Sequence, residues 1–66
     1  MNIVVNGEPH ELTPPETLGH LMKELGVEPD RVAVMINGRI VPKAGRAEVG
    51  FTLGDRVEIL TFMGGG

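Results

Sequence analysis

Two Asn-Gly pairs, Asn6-Gly7 and Asn37-Gly38, limit what this chain can fold into more than any other feature. Both residues of such a pair tolerate positive φ, so it closes a two-residue hairpin whose twist matches the strands it joins. Met1 to Asn6 alternates, with Ile3 and Val5 on one face, and Glu8 to Leu12 should return as the second strand. Pro9 has no N–H to give to a ladder, which places that strand at a sheet edge. Around the second pair, RVAVMINGRIVPK reads as another hairpin, with Val32, Val34 and Ile36 on one face and Ala33 and Met35 on the other. Between the hairpins, TPPETLGHLMKELG sets Leu18, Leu21, Met22 and Leu25 at i, i+3, i+4 and i+7, the single apolar stripe of a helix. Thr13 with Pro14 and Glu16 fits a capping box, but Thr17 stands directly before the periodic residues, so the helix is expected over Thr17 to Leu25. Gly26 stops it by taking the left-handed conformation without a Cβ clash.

Beyond the second hairpin, Lys43 to Gly50 has no clean period and reads as a loop with a short 3₁₀ turn, pinned to the core by Phe51. Leu53-Gly54-Asp55 is a turn. Arg56 to Phe62 is a last strand, in which Val57, Ile59 and Thr61 alternate against Arg56, Glu58, Leu60 and Phe62. One helical stripe covers one face of one sheet, which makes the class α+β. The right-handed sense of a helical crossover sets the first and last strands side by side and parallel. The expected core is Ile3, Val5, Leu18, Leu21, Met22, Leu25, Val32, Val34, Ile36, Val57 and Ile59.

Sixty-six residues can close around one core and no second. With no cysteine, the chain has no disulfide, no thiolate metal site and no cysteine nucleophile. A net charge of −3 gives phosphate backbones and anionic membranes nothing to bind, so nucleic acid and membrane are excluded as partners. The longest apolar run, Val32 to Ile36, is far short of the roughly 20 residues of a spanning helix, and the start MNIVVNG has no basic n-region before an apolar stretch. A cytoplasmic protein, monomeric when free, is expected. Residues 1–63 should form the domain and residues 64–66 a flexible glycine arm.

Few side chains promise chemistry. His10 and His20 are the only imidazoles; His20 has Glu24 at i+4, while His10 lies in a different element, too few ligands for a metal site. Glu8/Glu11 and Glu24/Glu28 show no apolar neighbourhood of the kind that retunes a carboxylate for acid-base catalysis. The ten glycines form neither a P-loop nor a GxGxxG turn. The terminus differs. A strand of Val, Ile, Leu and Phe runs into Gly64-Gly65-Gly66, which sets a carboxylate at the tip of a thin arm that can thread a narrow channel, because glycine lets backbone approach closely. Such a carboxylate becomes reactive once adenylated. If Val57 and Ile59 face the helix, Leu60 and Phe62 turn outward beside Met35, and the three make a partner-binding patch at the root of the arm.

The strand MNIVVNG, the helix opening TLGHLMKELG, the hairpin VAVMINGRIVPK and the ending GDRVEILTFMGGG together resemble the ThiS family, the sulfur carriers of thiamin biosynthesis. The resemblance covers essentially the whole chain and implies a ubiquitin-like β-grasp, a mixed sheet of about five strands under one helix. It implies that Gly66 is activated as an acyl adenylate by an ATP-dependent adenylyltransferase. It also implies that Gly66 is then converted to a thiocarboxylate with sulfur from a cysteine desulfurase and used by thiazole synthase. The carrier would bind no cofactor itself, ATP being used by its partner, and would be a cosubstrate, not an enzyme. Gly65 carries over as the second residue of the arm; Gly64 and Met63 match less strictly. The small subunit of molybdopterin synthase and ubiquitin-like modifiers share the diglycine end but are usually longer.

Overall fold

A computed structural model describes residues 1–62 of the chain. The first hairpin is β1 (Asn2–Val5) and β2 (Glu8–Glu11), paired antiparallel with Ile3 opposite His10 and Val5 opposite Glu8. Helix α1 (Leu18–Leu25) follows, then a 3₁₀ turn over Pro29–Arg31, then the second hairpin of β3 (Val32–Ile36) and β4 (Arg39–Ile40). A second 3₁₀ turn over Arg46–Glu48 lies inside the segment expected to be loop, and β5 (Arg56–Thr61) closes the order. The sheet runs β2-β1-β5-β3-β4, with Pro9 on an edge strand and β5 in the centre. β1 and β5 are parallel and every other pair is antiparallel, the arrangement of the ubiquitin-like β-grasp.

Local chemistry explains the boundaries. Thr17, in extended conformation, accepts the His20 N–H at 3.3 Å and so caps the helix one residue before its periodic stripe. Gly26, at φ 72°, ends it. Both Asn-Gly turns have positive φ at both positions, as their two-residue hairpins require. Leu18, Leu21 and Met22 share one core cluster with Ile3, Val34 and Val57, and all six are among the most completely buried side chains. Fully burying such a residue contributes about 1.5–3 kcal/mol.

The expected core needs three changes. Leu25 is 37% exposed: it is the last residue of the helix and lines an open groove with Val5 and Ile59. Ile36 packs against the core but stays partly exposed at the turn of its hairpin. Leu12 is fully buried: it keeps the parity of His10 and Ile3, on the helix side, and its N–H is held by the Met1 carbonyl at 2.9 Å. Phe51 is buried and fastens the long loop to the core, as its position suggested. Assigned strand ends at Thr61, one residue before the expected Phe62, although the Phe62 N–H still reaches the Arg31 carbonyl at 2.9 Å.

One buried charge was not foreseen. Arg46, in the second 3₁₀ turn, is 5% exposed and donates through Nη2 to the carbonyls of Pro29 and of Val32, the latter at 3.0 Å. It ties the returning loop to the entry of β3. Its Nε has no partner among the described residues, so the link carries a desolvation cost along with its two bonds.

Candidate functional site

Strand β5 is the central strand of the sheet, held by β1 on one side and β3 on the other, and the described chain leaves the sheet from its end. Its alternation is as expected: Val57 and Ile59 are buried under the helix, while Leu60 and Phe62 are 56% and 61% exposed. Register places Leu60 opposite Ala33, Glu58 opposite Met35 and Met35 opposite Ile40 on the face away from the helix. Met35 is therefore diagonal to Leu60 and not directly beside it. Ile40, 76% exposed, extends the apolar row to the sheet edge. The sequence carried that signal, since the two-residue turn that pairs Ile36 with Arg39 must pair Met35 with Ile40. Gly64, Gly65 and Gly66 lie outside the described residues.

On the helix side the two histidines, expected to be separate, meet. Glu24 accepts from or pairs with His10 Nε2 through one carboxylate oxygen and His20 Nε2 through the other, each at 3.1 Å, and Thr13 donates its hydroxyl to the same carboxylate. The hydroxyl of Thr13, then the His10 ring and the nearby imidazoles, hold the Glu24 carboxyl down at about 2. This cluster joins edge strand, loop and helix. No group of three His, Cys, Asp or Glu side chains among the described residues could hold a metal ion. A groove of about 370 Å³ opens beside it, lined by Val5, Asn6, Leu25, Val27, Ile59 and Thr61 among others. No described helix is long and apolar enough to cross a membrane.

What this arrangement offers chemically is a stable platform, an apolar face and a strand that leads out of the sheet toward a glycine-rich end. The sequence profile of the ThiS family matches residues 3–66. The chain belongs to the ThiS family. That family is one of small sulfur carriers of thiamine biosynthesis. The crystal structure of a thiamine biosynthesis protein (ThiS) from Geobacter metallireducens superposes with a TM-score of 0.80 at 35% identity, covering 100% of both chains. A thiazole synthase of Paramagnetospirillum magneticum is 44% identical over all 66 residues, and the protein ycf40 of Porphyra purpurea is 33% identical over the same span. This ThiS-family chain spans 93% of the latter but only 20% of the thiazole synthase.

Proposed function

We propose that this chain carries sulfur as a thiocarboxylate on Gly66 and donates it for thiazole formation in thiamine biosynthesis. The Gly66 carboxylate attacks the α-phosphate of ATP on an adenylyltransferase, pyrophosphate leaves, and an acyl adenylate forms. A persulfide sulfur, supplied by a cysteine desulfurase, then attacks the acyl carbon and AMP departs. A thiol cleaves the remaining S–S bond and frees the thiocarboxylate for thiazole synthase. The protein is a cosubstrate in each step; ATP belongs to the partner, and the chain needs no cofactor of its own.

The observation that carries this reading is the position of β5. A strand bonded on both sides, with the outward apolar residues Leu60 and Phe62 at and just beyond its end, is followed in the sequence by Met63 and the three glycines. Similarity over the full chain to part of a thiazole synthase supports the destination of the sulfur. Met35, Leu60 and Phe62 form the docking patch in this reading, residues 1–63 the domain and residues 64–66 the arm.

Deleting Gly66 tests it. The truncated protein should lose ATP–pyrophosphate exchange with the adenylyltransferase while its thermal midpoint stays unchanged, because the arm adds no side chain to the core. Mass spectrometry of the protein copurified from its native host should find one terminal oxygen exchanged for sulfur. Offered to each acceptor enzyme, the thiocarboxylate form should place sulfur in the thiazole. Transfer to the molybdopterin precursor alone would overturn the pathway, and full exchange activity without Gly66 would overturn the mechanism.

A further inference from the structure

We propose that Asn6 is a positioning residue whose side-chain amide fixes the direction in which β5 leaves the sheet toward Gly66; the inference rests on the activation of Gly66 proposed above. Parallel pairing between β1 and β5 ends early. Val4 pairs with Arg56 and Val5 with Val57, after which β1 turns away at Asn6, φ 49°, while β5 runs on to Thr61. The Asn6 carboxamide fills the gap as the next peptide of the ladder would. Its Nδ2 donates to the Ile59 carbonyl at 3.3 Å, and its Oδ1 accepts the Ile59 N–H at 2.8 Å.

The direction of the β5 peptides makes this contact decisive. Phe62 N–H reaches Arg31 and the Arg56 carbonyl accepts from Asn37 N–H, so residues 56 and 62 turn their peptides toward β3. Val57 and Ile59 turn theirs toward β1: the Val57 carbonyl accepts the Asn6 backbone N–H at 2.8 Å, and Ile59 is met by the Asn6 side chain. Beyond Val57, the Asn6 amide is thus what holds β5 from the β1 side. Without it the end of the strand is fastened through β3 alone and can pivot about that one row of bonds.

Turn chemistry does not demand this amide, since Asp or Gly would close the same hairpin. Aspartate could accept from Ile59 but could not donate to its carbonyl, and glycine could do neither. The second hairpin supplies an internal comparison. Asn37-Gly38 has φ values of 52° and 81° against 49° and 85° for Asn6-Gly7. Its side chain holds the other end of β5, accepting the Arg56 N–H at 3.0 Å and donating to the Asp55 carboxylate at 3.0 Å. Two equivalent turns therefore grip the entry and the exit of one strand.

The experiment compares Asn6→Gly with Asn37→Gly, both of which keep a residue that accepts positive φ. Three quantities are read: the thermal midpoint, the dependence of ATP–pyrophosphate exchange on carrier concentration, and the relaxation order parameters of the Thr61 and Phe62 amides. Both variants should lose similar stability. Asn6→Gly should raise KM for the carrier roughly five- to tenfold, the scale of a lost pair of hydrogen bonds, with kcat unchanged and lower order at Thr61 and Phe62. Asn37→Gly should keep KM within about twofold and leave that order intact. Asn6→Asp, which keeps one of the two bonds, should fall between. Equal KM changes in the two glycine variants, or unchanged order at Thr61 and Phe62 in Asn6→Gly, would overturn the inference. If the unmodified protein supports no exchange, the activation of Gly66 is what fails, and the order parameters alone then decide whether Asn6 sets the exit of β5.

Discussion

Leu12 and Leu25 exchange the roles their sequence neighbourhoods suggest, and the reason is geometric. Leu25 satisfies the i+7 position of the helical stripe, yet as the last residue before the Gly26 cap it borders an open groove and stays partly exposed. Leu12 belongs to no long periodic run, yet strand parity drops it under the helix with no exposed surface. Leu12→Ala should therefore cost about 2–5 kcal/mol, as deletion of a buried leucine side chain does, while Leu25→Ala should cost well under half as much; urea unfolding of the pair measures both. Glu24 gives a second residue-level test. Its carboxyl is held at about 2 against an ordinary 4.5, first by the Thr13 hydroxyl and then by His10. A lowered folded-state pKa means stability that is present above the unfolded value and is lost as pH falls from about 4.5 toward 2. Glu24→Gln should flatten the thermal midpoint across that window relative to the unmodified protein. A midpoint profile identical in the two proteins would show that the cluster does not couple to folding.

At the scale of elements, the contact between α1 and the second 3₁₀ turn decides the sign of a substitution that propensity alone would misjudge. Glycine inside a helix is destabilising by roughly 1 kcal/mol relative to alanine, so Gly19→Ala would ordinarily help. Here a Cβ at Gly19 would stand 2.9 Å from the Ala47 carbonyl oxygen and 3.1 Å from its Cβ. The nearest obstacle is backbone, and it belongs to the turn that Arg46 anchors. Gly19→Ala should lower the thermal midpoint, and faster amide exchange around Arg46–Glu48 would identify the displaced element; a raised midpoint would show that the turn yields freely. The sequence made both hairpins, the helix and its cap, the parallel pairing of β1 with β5 and the edge position of Pro9 legible, because each follows from local turn chemistry or from period. Arg46 was not legible in the same way. Its acceptors are carbonyls 14 and 17 residues away, and no period or motif links a charged loop residue to distant backbone.

Over the whole molecule, the same limit separates what the sheet does from where a partner would touch it. Alternation in β5 correctly turned Leu60 and Phe62 outward and the second turn fixes Ile40 beside Met35, but only the register of β3 with β5 shows Met35 level with Glu58 and diagonal to Leu60. The His10–Glu24–His20 cluster lies on the opposite, helix side and is assembled from two elements that sequence spacing kept apart. Leu60 and Phe62 lie at the end of β5, whereas Met35 and Ile40 stand level with Glu58 nearer its start, so a partner that receives Gly66 would meet Leu60 and Phe62 first. Exposed apolar area placed in this way tends to mark an interaction surface. Because Leu60 is more than half exposed, an acidic replacement there should leave folding within about 0.5 kcal/mol. At a buried anchor of an interface the same change should cost about 2 kcal/mol or more of binding, which is more than a tenfold rise in Kd. Leu60→Asp should therefore retain the native circular dichroism spectrum and midpoint while its affinity for the adenylyltransferase, measured by calorimetry, falls at least about tenfold. Ile40→Asp, at the far edge of the row, should fall less. An unchanged affinity for Leu60→Asp would move the docking surface off this face altogether.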